Sequence, residues 1–135
     1  MSVPRPNILY VMTDDHTERE LGCYGNGLIS TPNMDRLAAE GTRFENSFCT
    51  NALCAPSRAT VLTGAYSHVH GIYGNSEEAD AVETLDPEIP TFPELLRQAG
   101  YQTGLFGKYH IRQAPRDFDY WCTHPGQGEY FDPVF

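Results

Sequence analysis

The sequence predicts an α/β fold, a mostly parallel sheet flanked by helices, and three observations predict it. The run Asn7 to Thr13 (NILYVMT) is almost continuously apolar and rich in strand formers, as parallel strands buried on both faces are. Strand-like and helical segments then alternate along the chain, the order that builds βαβ units. Three of these elements are followed at once by polar residues, at the place where open α/β sheets build their sites.

The first strand, Asn7 to Thr13, runs into Asp14, Asp15 and His16. Thr31 and Pro32 open a helix, with Thr as the cap and Pro in the first turn. Met34, Leu37 and Ala38 give it an apolar stripe, and Gly41 stops it. Thr42 to Cys49 reads as the next strand, with Phe44 and Phe48 on one face, so a right-handed βαβ unit is expected. Pro56 to Thr63 reads as a short helix stopped by Gly64.

Residues 65–90 are acidic and lack periodicity. Glu77, Glu78, Asp80, Glu83, Asp86 and Glu88 mark a solvated loop. Thr91-Phe92-Pro93-Glu94 fits a capping box for a helix that runs to about Ala99 and stops at Gly100. Tyr101 to Gly107 is the next strand, followed by Lys108, Tyr109 and His110. From Arg112 onward Pro and Gly interrupt a run of aromatics (Phe118, Tyr120, Trp121, Tyr130, Phe131, Phe135) that reads as irregular and in need of something to pack against.

Composition excludes several functions. The 135 residues are 40% hydrophobic and 12% aromatic, enough to bury a core. A net charge of -9 speaks against a nucleic-acid partner and against an anionic membrane surface. A small anionic substrate stays open, because a local cluster of cations outweighs the global charge at short range. No apolar run is long enough to span a bilayer, and Met1 to Pro6 has no signal-peptide character, so the sequence as written reads as cytoplasmic; a removed leader would make it periplasmic or secreted. None of the four cysteines stands in C-x-x-C spacing, and Cys23, Cys49 and Cys122 are expected to be small buried hydrophobes.

The candidate chemistry lies in the three polar segments. Adjacent Asp14 and Asp15 repel unless a cation neutralises them, which suits a hard divalent ion; a turn or helix cap is the plainer alternative. Cys54 comes just before a helix start, where negative charge on its side chain or on a bound anion is stabilised, and Arg58 lies one turn on. A reactive thiolate and a buried Cys beside a helix-starting Pro are both open. Lys108 and His110, if the strand continues through them, share one face and suit binding an anion and moving a proton. His68 and His70 have the spacing of a metal pair on a strand, but their loop setting favours ordinary histidines.

These residues are more specific in combination. Cys54-Ala55-Pro56-Ser57-Arg58 followed by Leu62-Thr63-Gly64 resembles the signature of the type I sulfatases. Asn7 to Asp15, Thr31 to Leu37 and Gly107 to His110 are similar to other blocks of that family, in the same order. The resemblance covers the chain from Pro6 onward and implies an alkaline phosphatase-like core.

The resemblance also implies a site. Cys54 would be oxidised to formylglycine by a separate generating enzyme that reads C-x-P-x-R. One hydroxyl of the hydrated aldehyde would attack sulfur, and the second would expel sulfate. Asp14, Asp15 and residue 54 would hold Ca²⁺, with Mg²⁺ the lesser candidate. Arg58 would hold the nucleophile, Lys108 would bind the sulfate, and His110 would orient or deprotonate the diol.

Family members are several times longer and supply further metal ligands, a second His and another Lys downstream. The chain is therefore expected to be the N-terminal part of a catalytic domain, incomplete at its C-terminus and with exposed sheet edges, an inactive truncated fragment being one alternative. The implied activity of the whole is hydrolysis of a sulfate ester. Pro125 to Tyr130 is similar to members acting on sulfated sugars, which makes a saccharide sulfate the first substrate to consider. A phosphonate or phosphodiester hydrolase of the same superfamily is the alternative.

Overall fold

In the computed structural model, residues 5–75 and 84–135 are described. Met1 to Pro4, and Glu77, Glu78, Asp80 and Glu83 of the acidic stretch, lie outside them. The chain divides into two units, one up to Ser47 and one from Phe48 to Phe135.

The first unit is organised around one helix, α1 (Pro32–Glu40), with Pro32 in its first turn and Gly41 after its end. Two short 3₁₀ turns precede it, Glu18–Glu20 and Gly22–Tyr24. Asp35 ties α1 to the second of them: its carboxylate accepts from the Cys23 amide (2.7 Å) and from the Thr31 hydroxyl (3.0 Å). Thr31 in turn accepts from the Gly22 amide rather than capping its own helix by side chain. The expected stripe is present in sequence but not buried, with Met34 and Leu37 exposed.

The strands expected over Asn7 to Thr13 and Thr42 to Cys49 are not formed. A parallel strand exists only through its hydrogen-bonded neighbours, and the one ladder among the described residues lies elsewhere. Leu9 therefore stays 88% exposed and Phe48 likewise 88%. The βαβ unit expected of this stretch is absent for the same reason.

The second unit has the core. Helix α2 (Cys54–Thr63) starts two residues earlier than the sequence suggested and ends at Gly64. A single turn, α3 (Ser67–His70), follows inside the stretch read as loop. Then α4 (Phe92–Gln98) leads to β1 (Gly104–Lys108) and β2 (Tyr120–His124). Ala55, Ala59 and Leu62 of α2 pack with Ile72, Leu85, Tyr109 and Ile111. Phe118 and Leu105 close over this cluster. Burial pushes the Tyr109 phenol up to about 12.

β1 and β2 pair in parallel, Gly104 opposite Tyr120 and Lys108 opposite His124. β2 lies inside the tail read as irregular; its Tyr-Trp-Cys-Thr core has strand composition that the surrounding Pro and Gly obscured. Asp119 sets the register. Its carboxylate accepts from the Thr103 amide at 2.8 Å and from Arg97 Nε at 3.0 Å, joining the start of β2 to the start of β1 and the end of α4. The Thr103 amide, with Arg97, holds that carboxyl below its ordinary range. Half of the expected capping box forms: Thr91 Oγ1 accepts from the Glu94 amide and donates to Asp117 (2.7 Å), while Glu94 instead accepts from Gln98.

Candidate active site at the start of the second helix

α2 places Cys54 in its own first turn, at the positive end of the helix dipole. The backbone there is already engaged. The Ala55 amide donates to Asn75 Oδ1 at 3.0 Å, the Ser57 amide donates to the Leu53 carbonyl, and Pro56 has no N–H. An anion beside Cys54 must therefore be met largely by side chains rather than by a ring of free amides.

The side chains are in place. Lys108, the last residue of β1, donates from Nζ to Cys54 Sγ at 3.4 Å and to Gln127 Oε1 at 2.7 Å. Cys54 Sγ also lies 3.8 Å from Gln127 Oε1. Arg58, one turn along α2, donates from Nη1 to the Lys108 carbonyl at 2.5 Å. That bond fixes the helix start against the end of the strand, and it aims a guanidinium and an ammonium at the same region.

His110 arrives differently from expectation. β1 ends at Lys108, and His110 takes a left-handed backbone with φ 55, so strand alternation does not carry both side chains to one face. A non-glycine residue holds that conformation only when its surroundings enforce it, and such residues cluster at functional sites. His110 is 3% exposed and lines a cavity of about 270 Å³ with Ile111, Arg112, Pro125 and Gly126.

Asp14 and Asp15 belong to the first unit, both exposed, with Asp15 also left-handed at φ 51. Their oxygens suit a hard cation, but two carboxylates are fewer than the six to eight donors Ca²⁺ takes. Among the described residues no group of three or more His, Cys, Asp or Glu side chains gathers.

The remaining expectations resolve simply. His70 is a core residue, 2% exposed. Its Nδ1 accepts from the Ile72 amide, so Nε2 bears the proton and faces Thr60 Oγ1 at 3.1 Å. Burial lowers its pKa. His68 is exposed and stacks on Tyr66, so the two are not a metal pair. Cys49 and Cys122 are exposed and Cys23 half-buried, against the expectation of burial. Cys49 keeps bonds to the Asn51 carbonyl and Ser57. Cys122 sits on β2, whose residues 120–122 are all exposed. Sequence reasoning assigned no role to Asn75, a loop Asn, and noted Gln127 only as part of the Pro125 to Tyr130 segment.

The family model of the sulfatases matches residues 6–133. The chain belongs to the sulfatase family. This sulfatase sequence is 50% identical over 134 residues to an N-acetylglucosamine-6-O-sulfatase of Bacteroides thetaiotaomicron, covering 97% of the chain and 23% of that relative. A solved structure in complex with its substrate D-glucosamine-2-N,6-O-disulfate is similar with a TM-score of 0.85 and 49% identity, over 96% of this chain and 26% of that one. The phosphonate monoester hydrolase of Agrobacterium radiobacter is similar at 27% identity and a TM-score of 0.78, over 93% of this chain and 27% of that one. The fold is thus that of the alkaline phosphatase-like sulfatases, and the chain spans about a quarter of the length of the relatives it matches. No described helix is long and apolar enough to cross a membrane.

Proposed function

We propose that the chain is the N-terminal part of a sulfatase catalytic domain, and that the complete protein hydrolyses sulfate monoesters of saccharides with a nucleophile derived from Cys54. The observation that carries this is the Lys108 ammonium 3.4 Å from Cys54 Sγ in the first turn of α2. A cation at the nucleophile binds a sulfate oxygen and leaves the sulfur open to attack. The bond from Arg58 to the Lys108 carbonyl keeps both cations in register with residue 54. His110, buried on the adjoining cavity, is the candidate for moving a proton.

Two groups belong to this reading. Oxidation of Cys54 by a formylglycine-generating enzyme would supply the hydrated aldehyde as nucleophile; Cys54-Ala55-Pro56-Ser57-Arg58 supports it. Family membership implies a divalent metal, and we assign Ca²⁺, ahead of Mg²⁺, to Asp14, Asp15 and the oxygen of the modified residue 54. Bound there, the ion would polarise the nucleophile and the sulfate oxygens. The relative named for N-acetylglucosamine 6-O-sulfate supports a sulfated amino sugar as substrate.

The test uses the complete protein made alongside a formylglycine-generating enzyme. Peptide mass spectrometry across residue 54 should find the aldehyde, and the protein should release sulfate from a 6-O-sulfated amino sugar. Cys54→Ala should abolish release; retained turnover would sink the assignment. On a sulfate and a phosphonate ester sharing one leaving group, the sulfate should react faster, and the reverse would favour the phosphonate hydrolase reading.

A further inference from the structure

The turn that follows β2 brings a residue to the site that the function above does not use. In Pro125-Gly126-Gln127-Gly128 the Gly128 amide donates to the Pro125 carbonyl at 3.1 Å and closes the turn. The residues on either side of Gln127 are both left-handed, Gly126 at φ 51 and Gly128 at φ 79. A Cβ on Gly128 would lie 2.4 Å from His124 Nδ1, so the turn presses directly on the end of β2. Because Lys108 pairs with His124, the two strands end level, and the turn sets the Gln127 side chain beside Lys108. The result is one amide oxygen 2.7 Å from Lys108 Nζ and 3.8 Å from Cys54 Sγ.

The chemistry of that acceptor matters. A neutral amide orients an ammonium without adding a negative charge that would oppose an incoming anion. A carboxylate at the same place would orient it equally well but pair with the charge. We propose that Gln127 is the positioning residue for Lys108: it aims the ammonium at residue 54 and, being neutral, adds no negative charge beside the sulfate group. This rests on the assignment of Cys54 and Lys108 above.

Gln127→Glu and Gln127→Ala separate the idea from a merely structural role, because Glu preserves size and reach. In the complete protein with residue 54 converted, Gln127→Ala should lower kcat/KM about tenfold. Gln127→Glu should lower it further, roughly a hundredfold at neutral pH. The ratio of Gln127→Glu to wild type should recover as the pH falls and its carboxyl protonates. A Gln127→Glu protein with wild-type kinetics and pH profile would overturn the proposal.

A second readout does not need turnover. The affinity for inorganic sulfate, read by equilibrium dialysis, should fall about tenfold in Gln127→Ala and further in Gln127→Glu. If wild type proves inactive on sulfate esters while these affinities still order as stated, the sulfatase assignment fails and the positioning role stands. Equal affinities in all three proteins overturn the positioning role whatever the activity.

Discussion

Up to Ser47 the chain holds Ile8, Leu9, Val11 and Phe44 in the open, although the first three belong to the most strand-like run in the sequence. From Phe48 onward, short and unpromising segments close into a core around Ala59 and Ile72, each with no exposed surface. The difference is one of partners rather than of composition. The second unit contains its own ladder, and its helix α2 finds a core with Ile72, Leu85, Tyr109 and Ile111. The first has one helix held by polar bonds from Asp35 and Thr31. A hydrophobic pattern names a face to be buried, and burial follows only where a second face is within reach.

This contrast can be broken by mutation. The largest effect should come from Ile72→Ala in the core of the second unit, which should lower stability by about 2–5 kcal/mol in urea unfolding. A loss under 1 kcal/mol would mean that the core is looser than its burial implies. Thr91→Val removes both the cap of α4 and the bond to Asp117, and should cost about 1–2 kcal/mol. If it costs nothing, the polar clamp beneath β1 and β2 is incidental.

His70 sharpens the contrast through pH. Burial holds its folded pKa below the ordinary 6.5, so the folded state binds fewer protons than the unfolded one. Its contribution is complete above about pH 6.5 and is lost as the pH falls through the folded value. His70→Gln should flatten that acid-side decline in a urea-midpoint series; an unchanged slope would place the sensitivity elsewhere. The smallest effect belongs to Leu9→Ala, which should stay within about 0.5 kcal/mol of wild type. A cost matching that of Ile72→Ala would show that the first unit buries this run in solution and would erase the difference.

Much of the second unit was legible in the sequence because its signals are local. The Thr91 cap, the Gly64 and Gly100 stops, and Cys54 at a helix start depend on residues within one turn of each other. The failures are the features that depend on distant residues. β2 became a strand because β1 lies beside it, and Asn7 to Thr13 did not because the described residues offer it no ladder. The same distinction runs through the site. Cys54 and Arg58 were legible from one motif, and Lys108 from the end of a strand. His110 reached its position through a left-handed turn that breaks the expected alternation. Gln127, noted only within the Pro125 to Tyr130 segment, had no place at the site until the register of two strands had set it.

That register has a consequence for how the site can change over time. Residues 109–119 join the two strands, but the depth at which they end is fixed by the ladder and by Asp119 at its base. Changes at the exposed positions of that connection would leave the ammonium and the facing amide at the same height, whereas Tyr109, Ile111 and Asp117 within it are tied to the core and to Thr91. Adding a single residue within β2 would rotate everything after it to the opposite side. The segment is thus brittle in its rungs, and any exchange of the Pro125–Gly128 turn has to keep an amide acceptor at position 127 for Lys108.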